Sequence, residues 1–122
     1  MNVQGIVWLG IRTADLPRLQ EFFGHVLGLS PAETAGDFVR YQLANRDQLE
    51  LFGPKLEAQA HFGTGPVPEF LVDDVHGAVA ELEAAGIEIL KRPTHWRDDY
   101  WSAHFRGPDG NVYGVLGGRY YD

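Results

Sequence analysis

Five histidines and no cysteine set the chemistry open to this 122-residue sequence. Without thiols there is no disulfide, no thiolate nucleophile and no cysteine-ligated metal. The histidines are His25, His61, His76, His95 and His104. They fall on different predicted elements: a helix, a linker, a position beside a second helix cap, an aromatic loop and a strand. Only His95 and His104 are candidates to face a ligand. Two donors on separate elements do not complete a divalent metal site, which takes about three protein donors with an open position. Strand-borne carboxylates are the other reactive groups, Glu50 in the alternating run Gln48–Phe52 and Glu69 near the start of Val67–Val72. A carboxylate held in a pocket can be tuned toward neutral pH and act as a general base. In an enzyme reading, that base is Glu50, with His104 nearby.

Positioning these groups falls to a pattern that occurs twice. Ile6–Arg12 reads as a strand, Asp15 as the cap of a helix that tolerates Pro17 in its first turn, and Leu16, Leu19, Phe23, Val26 and Leu27 recur at helical spacing before Gly28 stops it. Strands are predicted at Leu29–Thr34, Asp37–Ala44 and Gln48–Phe52, closed by Gly53-Pro54. Lys55–Gly65 is a linker by composition, ending in Gly63-Thr64-Gly65-Pro66. The pattern then restarts: strand Val67–Val72, cap Asp74, helical Val75, Val79, Leu82 and Ala85, and stop Gly86. Strands follow at Ile87–Lys91, Tyr100–Arg106 and Asn111–Leu116, with His95–Asp99 as a polar and aromatic loop. Pro108-Asp109-Gly110-Asn111 between apolar flanks is a hairpin turn. Asp15 and Asp74 are offset by the same number of residues as Trp8 and Val67, so the repeat has a register. Each half is strand, helix, then three strands. Neither half buries both faces of its sheet, so the two sheets are expected to enclose a concave space.

The segments Leu9-Gly10-Ile11-Arg12-Thr13 with Asp15-Leu16, Phe70-Leu71-Val72-Asp73-Asp74-Val75, and Phe105-Arg106-Gly107-Pro108-Asp109-Gly110-Asn111, in this order on a duplicated pattern, resemble the vicinal oxygen chelate superfamily. That superfamily includes glyoxalase I, extradiol dioxygenases, fosfomycin-resistance transferases and bleomycin-resistance proteins. The resemblance covers roughly residues 5 to 118. It implies an α+β fold of two βαβββ modules forming an eight-stranded, incompletely closed mixed sheet around a ligand cavity. The whole chain, 1–122, is then one domain with modules at about 5–54 and 66–118. It also implies dimers, here a homodimer.

Metal-dependent members place histidine or a carboxylate at four strand positions that converge in the cavity. In this sequence the resemblance puts Trp8, Glu50, Val67 and Gly114 there. Indole, isopropyl and hydrogen are not metal ligands, and one carboxylate does not hold a catalytic ion, so no metal and no cofactor is expected. Strand alternation from these positions gives the surface facing the cavity. The expected ligand-binding residues are Trp8, Arg12, Glu50, Phe52, Glu69, Trp101, His104 and Gly114, with Ala103 and Phe105 facing the core. Trp8 either walls an open pocket or plugs it. Trp96, Tyr100 and Trp101 with Arg97 form either a lid over a ligand or a dimer contact.

These features lead to a metal-independent small-molecule-binding protein, of bleomycin-resistance logic, sequestering a cationic or aromatic drug or metabolite. The alternative is a lyase, isomerase or dioxygenase-like enzyme that uses Glu50 as base or a rebuilt metal site. A net charge of −7 without a basic patch argues against nucleic acid as partner. No stretch of about 18 apolar residues and no secretory pattern is present, so no membrane partner and a cytoplasmic location are expected.

Overall fold

The structure, a computed structural model, describes residues 1–63 and 65–118. Thr64 of the expected linker, and residues 119–122 of the expected domain, lie outside the described residues. The chain divides into two compact units, one of Trp8–Pro66 and one of Met1–Val7 with the chain from Val67 onward. Each carries four strands, and each mixes parallel and antiparallel pairing with little helix, which is the expected α+β class.

In the first unit, the Trp8–Arg12 part of β1 (Val3–Arg12) leads into α1 (Leu16–Glu21), followed by β2 (Pro31–Ala35), β3 (Phe38–Gln42) and β4 (Gln48–Phe52). The order is β2-β3-β4-β1, with β1 parallel to β4 and the other pairs antiparallel. Asp15 caps α1 as its type demands, its carboxylate accepting from the Arg18 amide at 3.2 Å. The expected single helix changes character at Phe22, where a π-helical turn, Phe22–Val26, takes over until Gly28 ends it at φ +75°. Leu9, Ile11, Val39, Tyr41, Leu49 and Leu51 form the sheet face that packs on Leu16, Leu19 and Phe23. Alternation then puts Trp8, Gly10, Arg12, Phe38, Arg40, Glu50 and Phe52 on the opposite face.

In the second unit, β5 (Val67–Val72) leads into α2 (Val75–Ala84), then β6 (Glu88–Arg97), β7 (Tyr100–Arg106) and β8 (Val112–Gly117). The order is β5-β8-β7-β6, with β5 parallel to β8. Val72, Ala103 and Val115 pack on Val75, Ala78 and Val79 of α2. Glu69, Ser102, His104, Gly114 and Leu116 therefore occupy the other face, as alternation predicts. The hairpin turn between β7 and β8 closes with the Gly110 amide on the Gly107 carbonyl at 2.9 Å and Gly110 at φ +85°.

Three expectations need correction. The predicted loop His95–Asp99 is mostly strand: β6 continues to Arg97 through several bulges, and only Asp98 and Asp99 turn. The predicted linker contains a 3₁₀ segment, Glu57–Phe62, because Phe62 is buried and anchors it. Asp74 stands at the α2 N-cap, but its side chain makes no capping hydrogen bond.

Candidate functional site

The reactive groups form two clusters, one in each unit. In the first, β1 and β4 run parallel with Gly10 opposite Glu50, so Trp8 and Glu50 are diagonal neighbours on one face. The Trp8 indole Nε1–H donates to Glu50 Oε1 at 2.5 Å. The Trp8 ring is 6% exposed. It lies 6.1 Å from the Phe52 ring and 6.0 Å from Phe62, the latter edge-on. Phe52 in turn stacks on Phe38 at 5.7 Å. Gly10 makes this packing possible: a Cβ there would collide with the Trp8 ring and come within 2.9 Å of Phe62 Cε2. Trp8 is thus a packed side chain whose polar edge is bonded, and Phe62 completes its enclosure. Phe62 is not among the expected site residues; the alternating apolar run Leu56, Ala58, Ala60 and Phe62 inside the linker is the sequence signal for it.

In the second unit, three adjacent strands bring Glu69, Gly114 and His104 into one row, since Gly114 is register partner of both. Glu69 Oε2 and His104 Nε2 are 2.5 Å apart, and both side chains are almost wholly buried. Burial raises the Glu69 pKa well above the usual carboxylate range, partly offset by the Lys91 cation. Burial, reinforced by Lys91, lowers that of His104 to about 4. Both directions favour a pair that carries one titratable proton and no net charge, with the carboxylic acid donating to the imidazole Nε2. Gly114 holds the notch for it: a Cβ would lie 2.5 Å from Glu69 Cγ and 2.9 Å from His104 Cδ2. Lys91, also absent from the expected set, is the β6 neighbour of His104 and stands 5.0 Å over the Trp96 ring. Trp96 is half-exposed, and its indole donates to Ser102 Oγ at 2.8 Å.

Of the expected ligand-binding residues, Trp8, Arg12, Glu50 and Phe52 share one face of the first unit, and Glu69, His104 and Gly114 share one face of the second. Trp101 does not join them. It lies on the α2 side of β7, with its ring 4.6 Å from His76 and 4.7 Å from His95. The strand pleat dictates this, because Trp101 alternates with Ser102 and so points with Ala103 and Phe105. Neither Trp96 nor Trp101 stands in a free loop, since both sit on strands.

The residues do not fit the metal that the resemblance implies. Trp8, Val67 and Gly114 offer no donor, and the remaining carboxylate, Glu50, accepts the indole hydrogen. The notch over Gly114 is filled by Glu69 and His104. Among the described residues no group of three histidine or carboxylate side chains is placed to hold an ion.

The sequence profile of the Glyoxalase/Bleomycin resistance protein/Dioxygenase superfamily matches residues 5–114. The chain belongs to that superfamily. No protein of curated function matches its sequence. Among solved structures, the Mn(II)-bound glyoxalase from Novosphingobium aromaticivorans is similar at 21% identity and a TM-score of 0.73, over 94% of this chain and 39% of that one. A glyoxalase/bleomycin resistance protein/dioxygenase superfamily member from Vibrio splendidus 12B01 is similar at 21% identity and a TM-score of 0.68, over 90% and 96%. A single-substitution variant of the Streptomyces coelicolor methylmalonyl-CoA epimerase, in complex with 2-nitronate-propionyl-CoA, shows 17% identity and a TM-score of 0.68, over 97% and 99%. At these identities the likeness is one of fold. No helix among the described residues is long and apolar enough to cross a membrane.

Proposed function

We propose that this chain is a metal-independent small-molecule-binding member of its superfamily. The observation that carries the reading is the fate of the four positions where metal-dependent members carry donors. Trp8, Val67 and Gly114 have none, and Glu50 is bonded to Trp8. What supports a binding role is the aromatic cluster around them on the first unit, in which Trp8, Phe52 and Phe62 are buried against one another and Phe38, stacked on Phe52, is half-buried at the rim. The rim ring, Phe38, offers a flat ligand dispersion and stacking contacts, which bind without any reaction. The expected preference for a cation loses part of its basis, because both carboxylates have internal partners: Glu50 the indole and Glu69 the imidazole. The aromatic preference stands.

The test is a thermal-shift screen of chelator-treated protein against aromatic amines, aromatic carboxylates and neutral aromatics, with metal content measured on the same sample. A ligand that raises the melting temperature of metal-free protein supports the reading. Stoichiometric metal that is required for turnover overturns it.

One observation favours a second reading. The Glu69–His104 pair has the proximity and the perturbed pKa values of an acid–base pair, so a metal-free isomerase or lyase would use it rather than Glu50 alone. In that case Glu69→Gln removes turnover while ligand affinity stays within a few-fold. Turnover that persists in this variant excludes it.

A further inference from the structure

In the second unit, β6 adds side chains to the face of the sheet that carries the Glu69–His104 pair. Lys91 is the register partner of His104, and Thr94 of Ser102, so both stand on that face, away from α2. Trp96 joins them. Its indole N–H donates to Ser102 Oγ at 2.8 Å, which orients the ring, and the residue stays 50% exposed. The polar edge of the ring is satisfied internally, so contact with its exposed part breaks no hydrogen bond and freezes little side-chain motion. The Lys91 ammonium stands 5.0 Å over the same ring, on a half-buried side chain. Among the described residues it has no carboxylate within ion-pair distance and no hydrogen-bond acceptor. Glu69 is engaged with His104, and Glu88, earlier on β6, pairs with Arg106. Burial holds Glu69 well above the usual carboxylate range, so it leaves the Lys91 charge largely uncompensated. A fully solvated lysine needs no partner. Here an indole face and an imidazole neighbour replace part of the hydration, and water screens the charge less.

From this arrangement we infer that the second unit carries an oxyanion subsite: a carboxylate or phosphate of the ligand pairs with the Lys91 ammonium, while a flat apolar body joined to it lies on the exposed part of the Trp96 ring. The inference rests on the small-molecule-binding reading and names the ligand class for it. Lys91 supplies the charge and Trp96 the surface. An ammonium alone binds any anion weakly, and an indole alone any ring, so the pair selects a ligand that has both. The same ammonium repels an aromatic amine, although the chain as a whole is acidic. Thr94 adds no donor to the subsite, because its hydroxyl is bonded to the Arg92 carbonyl at 3.1 Å.

The experiment measures binding of six probes to metal-free protein by titration calorimetry: benzoate, phenyl phosphate, benzamide, benzylamine, acetate and inorganic phosphate. Wild type should bind benzoate or phenyl phosphate more tightly than any of the other four. Lys91→Met should weaken that binding about tenfold or more, and Trp96→Leu should weaken it roughly three- to tenfold. Phenyl phosphate above benzoate identifies a phosphate ligand, and the reverse a carboxylate. Should Lys91→Met not fold, Lys91→Gln decides in its place. The inference is overturned if neither aromatic anion binds, if acetate or inorganic phosphate binds as well as they do, if benzamide or benzylamine matches them, or if the Lys91 or the Trp96 variant binds like wild type. Benzamide or benzylamine binding that Lys91→Met leaves unchanged would keep the binding reading intact while removing this one. A chain that binds no aromatic at all would remove both.

Discussion

Gly114 shows how one missing side chain shapes its neighbours. Its hydrogen leaves a notch that Glu69 and His104 fill, so the pair and the glycine depend on each other. Gly114→Ala should cost about 1–3 kcal/mol by urea denaturation, since a Cβ at 2.5 Å from Glu69 Cγ forces the pair apart. Most of that cost should vanish in a Glu69→Ala background, and an undiminished cost there would mean that the two residues are not coupled.

The pair also predicts a pH profile. Glu69 is raised from 4.5 and His104 lowered from 6.5, so the folded pair holds one proton where each group alone would titrate. For Glu69 the stability contribution is present below 4.5 and is lost as pH rises toward its elevated folded pKa. For His104 it is present above 6.5 and is lost as pH falls toward about 4. Between 4.5 and 6.5 the two contributions run in opposite directions and offset each other, which flattens the profile there. Above it only the Glu69 contribution still changes, so stability falls as pH rises toward the elevated Glu69 pKa, by at most roughly 1.4 kcal/mol per pH unit. Glu69→Gln should abolish this alkaline decline and introduce an acid one below pH 6.5, read by denaturant titration from about pH 4 to 9. Identical profiles for the two proteins would contradict the neutral pair.

At the scale of elements, the segment Glu57–Phe62 matters more than its composition suggests. Phe62 is 3% exposed and packs edge-on against both Trp8 and Phe52. Phe62→Ala should cost about 3–5 kcal/mol and speed hydrogen exchange in Glu57–Phe62 and at Trp8. Exchange that changes only in the 3₁₀ segment would show that Trp8 does not depend on it. Strands with clean alternation are legible to the residue: Gln48–Phe52 and Val67–Val72 match their predicted bounds. The pleat carries through to the site, since Ser102 and His104 do oppose Ala103 and Phe105. Local composition is the poorer guide. Histidine, tryptophan and charged residues over His95–Asp99 read as loop, but pairing with β7 holds most of them in a bulged edge strand. The chemistry of Trp101 groups it with ligand-facing residues, whereas its position in the pleat assigns it to the α2 face. Lys91 acts through neighbours distant in sequence, and no local pattern encodes that, whereas Phe62 ends an alternating apolar run that marks it for burial without naming its partners.

On the scale of the whole molecule, the repeated strand-helix-strand pattern and three short segments are enough to reach the superfamily, and the sequence profile over residues 5–114 bears that out. The same fold carries very different sites, so the fold alone does not assign a reaction. Here donor chemistry decides. Positions that would ligate an ion carry Trp8, Val67 and Gly114, and the neighbourhoods of Trp8 and Gly114 are filled by an indole with Phe62 and by the Glu69–His104 pair. The central claim is therefore that ligand binding does not depend on a metal. It is tested most directly by calorimetry with one aromatic ligand, on chelator-treated protein with and without added Mn²⁺, Ni²⁺ or Zn²⁺. The account predicts the same affinity in every arm. Binding that appears only with metal, or tightens about tenfold or more when it is added, would contradict it.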